Sequence, residues 1–331
     1  MKHNYKLLIV VLLAALVLAA CGGQQASPAE DDAFKVGLLS PGSVNDDGWN
    51  SIAYNALLRI EEELGAEISY VELEQDPASF EKAFRDYASE GYDMILGHGF
   101  EFQDAAVTVS KEYPDTFFFI SSSRIHDGNV VGLNTDSSQP FYLMGVIAAL
   151  TAPSAGFVGG MEIPPISEAL TGFEEGAKSV DPNYPVSGTF IGNFTDSAAA
   201  KEAALGMIAE GATFVVPDAD VAGLGVFQAV SETGSDIGTF GAFGDFTDNA
   251  PENILGNYFA DYGQGIVNIA RQIQEGTFDP AGNIEFGLAN EDVMWIEFND
   301  NNPLPSEVME AVEAAKQGII DGSIDTLPDV D

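Results

Sequence analysis

The sequence predicts an α/β fold of two similar lobes in tandem, each a parallel sheet with helices on both faces, and a ligand cleft between them. Three observations lead there. Short apolar runs of strand character alternate with amphipathic helical stretches along most of the chain, and such alternation gives parallel sheets flanked by helices. A segment repeats at an offset of 120 residues without a gap, SYVELEQDPASFEKAFRDYASEGYDMIL (69–96) lying over TFIGNFTDSAAAKEAALGMIAEGATFVV (189–216). Finally, about 300 residues remain beyond the N-terminal leader, a length that usually divides into two domains.

The leader comes first. Lys2 and Lys6 precede an unbroken apolar run, LLIVVLLAALVLAA (7–20), which is short for a membrane span and the right length for the core of a signal peptide. It ends in LAAC, which resembles the lipobox of bacterial lipoproteins, with Cys21 the single cysteine of the chain. Residues 1–20 are therefore expected to be a leader and Cys21 a lipid-anchor site on the membrane. The small, acidic segment that follows (21–33) reads as a flexible tether. One cysteine permits no internal disulfide.

The charge is extreme, with 12 Lys and Arg against 52 Asp and Glu, a net of −40. Such a surface repels nucleic acid and anionic membranes. It keeps the chain soluble; it also suits a saline habitat, where salt screens the repulsion among carboxylates.

Strand-like runs fall at 35–39, 68–73, 94–97, 116–121, 156–160, 189–192, 213–217 and 238–243. Helical stretches fall at 50–64, 78–90, 103–112, 138–150, 197–210, 222–233 and 259–275, the first with Ala53, Leu57, Ile60 and Leu64 at helical spacing. Within the repeat, Asp76 and Asp196 stand as N-caps, and Gly91 and Gly211 close the helices. The lobe boundaries expected are 34–137 with roughly 260–290 returning to it, and 138–259 with roughly 291–331.

In open α/β sheets ligands bind beyond the carboxyl ends of the strands, so the loops there carry the candidate residues. SPGSVNDDGWN (40–50) brings Asp46, Trp49 and Asn50 to a helix start, with Tyr54 one turn on. One of Asp46 and Asp47 alternatively caps that helix. HGFEF (98–102) brings His98 and Phe100; His98 alternatively serves as a structural hydrogen-bonder. In the second lobe, NFTD (193–196) places Phe194 at a strand tip, DADVAGLGVF (218–227) brings Asp220 and Gly223, and GDFTD (244–248) brings Asp245. The Gly223–Gly225 pair lacks the third glycine of a dinucleotide fingerprint and reads as close backbone approach to a ligand. Aromatic faces stack flat rings and carboxylates accept hydrogen bonds from hydroxyls, whereas an anionic ligand needs Arg or Lys, nearly absent here. The inventory fits a neutral, flat, hydroxylated molecule such as a nucleoside. No GxSxG, HExxH or Walker A motif occurs, so neither an enzyme, a cofactor nor a metal site is expected.

At these residues the chain resembles the basic membrane protein (BMP) family, which includes purine nucleoside receptor lipoproteins. The marks are LLSPGSVNDDGWNSIAYNAL (38–57), LGHGFEFQDAA (96–106), FVGGMEIPPI (157–166), GTFIGNFTDSAAAKEAAL (188–205) and ADVAGLGVFQA (219–229). The resemblance implies a type I periplasmic-binding-protein fold, two Rossmann-like lobes joined by a hinge of three crossings, and service to an ABC importer through its permease. It implies ligand contacts by Asp46 and Asn50, ring stacking by Phe194, and ribose contacts by Gly223 and Asp245. Three departures touch the ligand. Ser121 to Ser123 stand where nucleoside receptors often carry Asp, making Ser122 a candidate. Ala260 stands where they carry Lys, in NYFAD (257–261), which offers Asn257 and Asp261 instead. Trp49 stands where many have Phe. A monomer is expected. The alternative function is a sensor that delivers a signal molecule to a membrane partner.

Overall fold

Strand and helix alternate as the sequence pattern requires. In the computed structural model, which describes residues 33–45, 49–74 and 76–328, the chain runs β1 (Lys35–Ser40), α1 (Trp49–Leu64), β2 (Glu67–Glu72), α2 (Pro77–Ser89), β3 (Met94–Gly97), α3 (Gln103–Ser110), β4 (Phe117–Ser121), β5 (His126–Asp127) and β6 (Val130–Thr135). It continues through α4 (Ser138–Thr151), β7 (Ala155–Gly159), α5 (Pro164–Val180), β8 (Val186–Phe190), α6 (Ser197–Ala209), β9 (Phe214–Asp218), α7 (Leu224–Thr233), β10 (Thr239–Ala242) and β11 (Ile254–Ala260). Last come α8 (Tyr262–Gln274), β12 (Ile284–Phe286), β13 (Met294–Phe298) and α9 (Ser306–Ile320). Lys35–Asp331 forms one compact unit. The leader, Cys21, most of the tether, Asp46 and the Trp49 side chain lie outside the described residues.

The first sheet has the order β12-β6-β4-β3-β1-β2, parallel throughout, with β5 antiparallel on β6. In the second half β8-β7-β9 is parallel, a bridge from Phe214 to Gly238 links it to β10-β11, and β13 closes the edge antiparallel to β11. Adjacent side chains on a strand point to opposite faces, and both faces of the second sheet are buried accordingly. Phe157 of β7 and Phe214 and Val216 of β9 enter one core with Phe141, Phe173 and Tyr258; Val158 and Val215 enter another with Val226 and Val230. Each such buried aromatic contributes about 1.5–3 kcal/mol.

The repeat is structural. β2, α2 and β3 correspond at 120 residues to β8, α6 and β9. Asp76 accepts from the Ser79 amide and Asp196 from the Ala198 and Ala199 amides, so both are N-caps. Gly91 and Gly211 take φ of 76° and 110°, where a side chain is strained. The correspondence extends to β1 over β7 and to the 3-10 turns Phe100–Phe102 and Asp220–Gly223.

Helix α5 eluded the pattern reading because glycine interrupts it. A methyl group at Gly176 would lie 2.0 Å from the Tyr142 carbonyl oxygen, and one at Gly172 would lie 2.2 Å from that of Ser138. The glycines let α5 sit backbone to backbone on α4.

The chain passes between the halves three times, from β6 to α4, from β11 to α8 and from β12 to β13. The crossings are stitched together: Asp136 N–H donates to Phe286 O at 2.8 Å, Leu288 N–H to Gln139 Oε1 at 2.8 Å, and Asp261 N–H to Val293 O at 2.7 Å. The helical stretch expected from 259 begins three residues later, because Phe259 and Ala260 end β11 and Asp261 caps α8 by accepting from the Gln264 amide. Arg124, following β4, makes a bidentate pair with Glu168 of α5 (2.8 and 2.8 Å) and reaches Glu285 of β12 at 2.7 Å. One guanidinium thus ties the two halves together beside the crossings.

Candidate functional site

The strand ends of the first half set a polar rim. Ser40, buried at the end of β1, donates through Oγ to Gly42 O (2.9 Å) and contacts Asn50 Oδ1 (3.2 Å), which fixes Asn50 at the start of α1. Glu72 holds the same loop by accepting from the Val44 amide. His98 follows β3 fully buried, its Nδ1 3.1 Å from Ser121 Oγ at the end of β4. Gly99, at φ 139°, turns the chain so that Phe100 stands 69% exposed. Ser122 is exposed with φ 53°, and Ser123 anchors that turn by donating to Gln103 Oε1. Tyr54 packs on Tyr70 of the edge strand β2, ring centroids 4.8 Å apart, and so lies along the sheet edge rather than at the strand tips.

In the second half, Phe194 is half-buried with its ring against Gly160, where a methyl group would meet it at 2.3 Å. Its carbonyl accepts from the Ala222 amide. Asp220 is exposed with φ 49° and opens the turn Asp220–Gly223. Gly223 packs on Pro217, and a methyl at Gly225 would lie 1.9 Å from Ser197 O. Gly225 therefore serves a contact within the protein, bringing α7 onto α6, whereas Gly223 borders a pocket. Asp245 accepts from the Thr247 amide (2.9 Å) and from Asn257 Nδ2 (3.2 Å); the Thr247 bonds hold its carboxyl below its usual range. Asn257 is buried and braces that loop from β11, its Oδ1 accepting from the Phe246 amide. Asp261 pairs with Arg59 of α1 at 3.1 Å while capping α8, so its carboxylate is engaged by the scaffold.

Beside the expected Asp220 and Gly223, the structure brings in Asp218, Phe227, Phe243 and Phe246. A small pocket at the tips of β9 and β10 is bordered by Asp218, Asp220, Gly223, Phe227, Phe243 and Phe246. Phe243 is 52% exposed with φ 65°, and its ring rests on Tyr258, centroids 4.8 Å apart. Asp218 is 4% exposed. Burial, reinforced by the charge of Asp220, pushes its carboxyl up to about 7. Burial likewise raises the Asp136 carboxyl against the hydrogen bonds it accepts from Ser138 and Gln139. Among the described residues no group of acidic, His or Cys side chains could hold a metal ion, and no helix is long and apolar enough to cross a membrane.

Comparison with known proteins agrees with this architecture. A family model described as ABC transporter substrate-binding protein PnrA-like (Bmp) matches residues 33–327. Basic membrane protein A1 of Borrelia garinii is 27% identical, over 96% of this chain and 95% of its own. The ABC transporter nucleoside-binding protein BmpA of Lactococcus lactis is 28% identical, over 96% and 97%. A solved ABC transporter solute-binding protein from Conexibacter woesei superposes with a TM-score of 0.66 at 26% identity, covering 88% of this chain and 98% of that one.

Proposed function

This chain belongs to the Bmp family of PnrA-like ABC transporter substrate-binding proteins, and from that membership we propose that it captures a nucleoside between its two halves for delivery to a permease. The observation that carries the reading is the pocket at the tips of β9 and β10: the rings of Phe227, Phe243 and Phe246 border it with the carboxylates of Asp218 and Asp220, and among the described residues no basic side chain does. A flat, uncharged ring with hydroxyls matches that set; a phosphate or carboxylate does not. The name of the Lactococcus lactis relative supports it.

Trp49 and Phe194 stack the heterocycle, Asp46 and Asn50 read its polar edge, and Asp245 accepts from the sugar hydroxyls. His98 and Asn257 hold neighbouring loops in place. The two halves act as lobes that close on the ligand about the stitched crossings. The chain works as a monomer, anchored outside the cytoplasm by lipid on Cys21. Calorimetric titration of nucleosides into wild type, Trp49→Ala and Asp245→Ala tests the site. Stacking is worth about 1–3 kcal/mol and a hydrogen bond to a charged carboxylate about 1.5–3 kcal/mol, so each folded variant should bind at least several-fold more weakly. Wild-type affinity in both would refute the placement.

A further inference from the structure

Asp218 ends β9, in the position that the repeat gives to His98, the residue after β3. His98 has Ser121 beside it. Asp218 Oδ2 is buried and hydrogen-bonds to none of the described residues. A carboxylate so placed is costly unless something supplies donors, and it stands at the wall of the pocket bounded by Phe227, Phe243 and Phe246. Phe194 lies close by: its ring abuts Gly160, and the Gly160 amide donates to Asp218 O at 2.9 Å.

We propose that Asp218 is a further recognition residue of the ligand site, reading the hydrogen-bonding edge of the bound heterocycle and changing the edge it accepts with its protonation state. The proposal rests on the nucleoside reading above. An ionised carboxylate only accepts hydrogen bonds, through two oxygens, whereas the protonated acid donates one and accepts another. The ionised form matches two adjacent donors, the ring N–H and amino group of guanine. The protonated form matches an amino group beside a bare ring nitrogen, as in adenine or cytosine. Both forms are accessible near neutral pH because burial and Asp220 push the carboxyl up.

The groups facing Asp218 favour neutral or donor-bearing ligands. Asp220 shares its loop and its sign of charge. Tyr258 of β11 is buried near enough to feel both Asp218 and Asp136. Asp245 stands on the loop after β10, held by Thr247 and Asn257. Strands β7 and β10 bring no titratable side chain. Lys201 of α6 is taken up by Glu232 of α7 at 2.7 Å.

The test is calorimetric titration of guanosine, adenosine and cytidine into the purified protein and its Asp218→Asn variant, at about pH 5.5 and about pH 8, on either side of neutrality. In wild type the guanosine-to-adenosine affinity ratio should rise about tenfold between the two, the worth of one bidentate edge. The substituted amide is neutral at both, so the variant's ratio should be independent of pH. A wild-type ratio that does not move with pH overturns the role of Asp218 and leaves nucleoside binding intact; because this comparison needs no variant, it holds even if Asp218→Asn misfolds. Failure of wild type to bind any of the three removes the nucleoside reading, and this proposal with it.

Discussion

Replacing Asp218 with Asn should stabilise the ligand-free protein, and by an amount that grows with pH. In an unfolded chain an aspartate titrates near 3.9; in the fold this one is pushed up to about 7. Between those values the native state keeps a proton that the unfolded state has lost, so stability falls as pH rises through that window and is level above it. About three pH units at about 1.4 kcal/mol each set a ceiling near 4 kcal/mol, and relaxation of the pocket will reduce it. Asn has the shape of Asp and no charge to desolvate. The variant should therefore match wild type near pH 4 and exceed it by a few kcal/mol at about pH 8. Urea unfolding in a Trp49→Phe background leaves Trp295 of β13 as the sole indole, stacked on Phe259 at 5.1 Å, so its fluorescence reports the half that holds Asp218. Other carboxylates titrate equally in both proteins and cancel in the difference. A stability difference that stays constant from pH 4 to pH 8 would refute the reasoning.

Three further outcomes are expected. Arg124→Ala strips the bidentate partner from Glu168, whose side chain is 11% exposed; with the guanidinium itself 44% exposed, the loss should be about 1–2 kcal/mol rather than the 3–5 of a fully buried pair, read by urea unfolding, and a neutral result would show the clasp to be dispensable. The melting temperature should climb from low to molar NaCl, since the net charge of −40 repels itself; a flat profile would mean that the carboxylates are too dispersed to matter. Cys21→Ser should move the protein from the membrane to the soluble extracytoplasmic fraction, and unchanged membrane attachment in fractionation would exclude lipid at Cys21.

What could be read from the sequence was whatever is decided locally. The capping aspartates Asp76 and Asp196 hydrogen-bond within their own first turns, and the helices behind them show their period without reference to the rest of the chain. The strands β6, β11, β12 and β13 did not emerge from the pattern. β12 is short and β6 and β11 are broken by glycine and asparagine, and what makes β12 and β13 strands is pairing with distant partners, β12 on β6 and β13 on β11. These four strands flank the crossings between the two sheet systems, so the part of the fold that joins them is the part least visible in the sequence. Helix α5 was hidden for a related reason: Gly172 and Gly176 weaken its helical signature and are explained only by α4 against them.

The candidate site divides along the same line. Asp220 and Asp245 stood out as polar residues at strand ends, and both lie in polar loops at the surface. Asp218, two residues before Asp220, looked like one more acid in DAD, since nothing in a sequence says which of two nearby aspartates is buried. Natural sequences tend to violate local rules where function requires it. A buried carboxylate with an oxygen that hydrogen-bonds to none of the described residues, in a protein rich in exposed acids, is such a violation: a charge there destabilises the free fold, and in the proposal above a ligand that brings donors offsets it. If Asp218→Asn raises stability at high pH and also abolishes the pH-dependent choice between guanosine and adenosine, the two effects have one cause. If stability rises and the choice is unchanged, the buried acid is a cost without a use, and reading of the base edge falls to other residues of the proposed site.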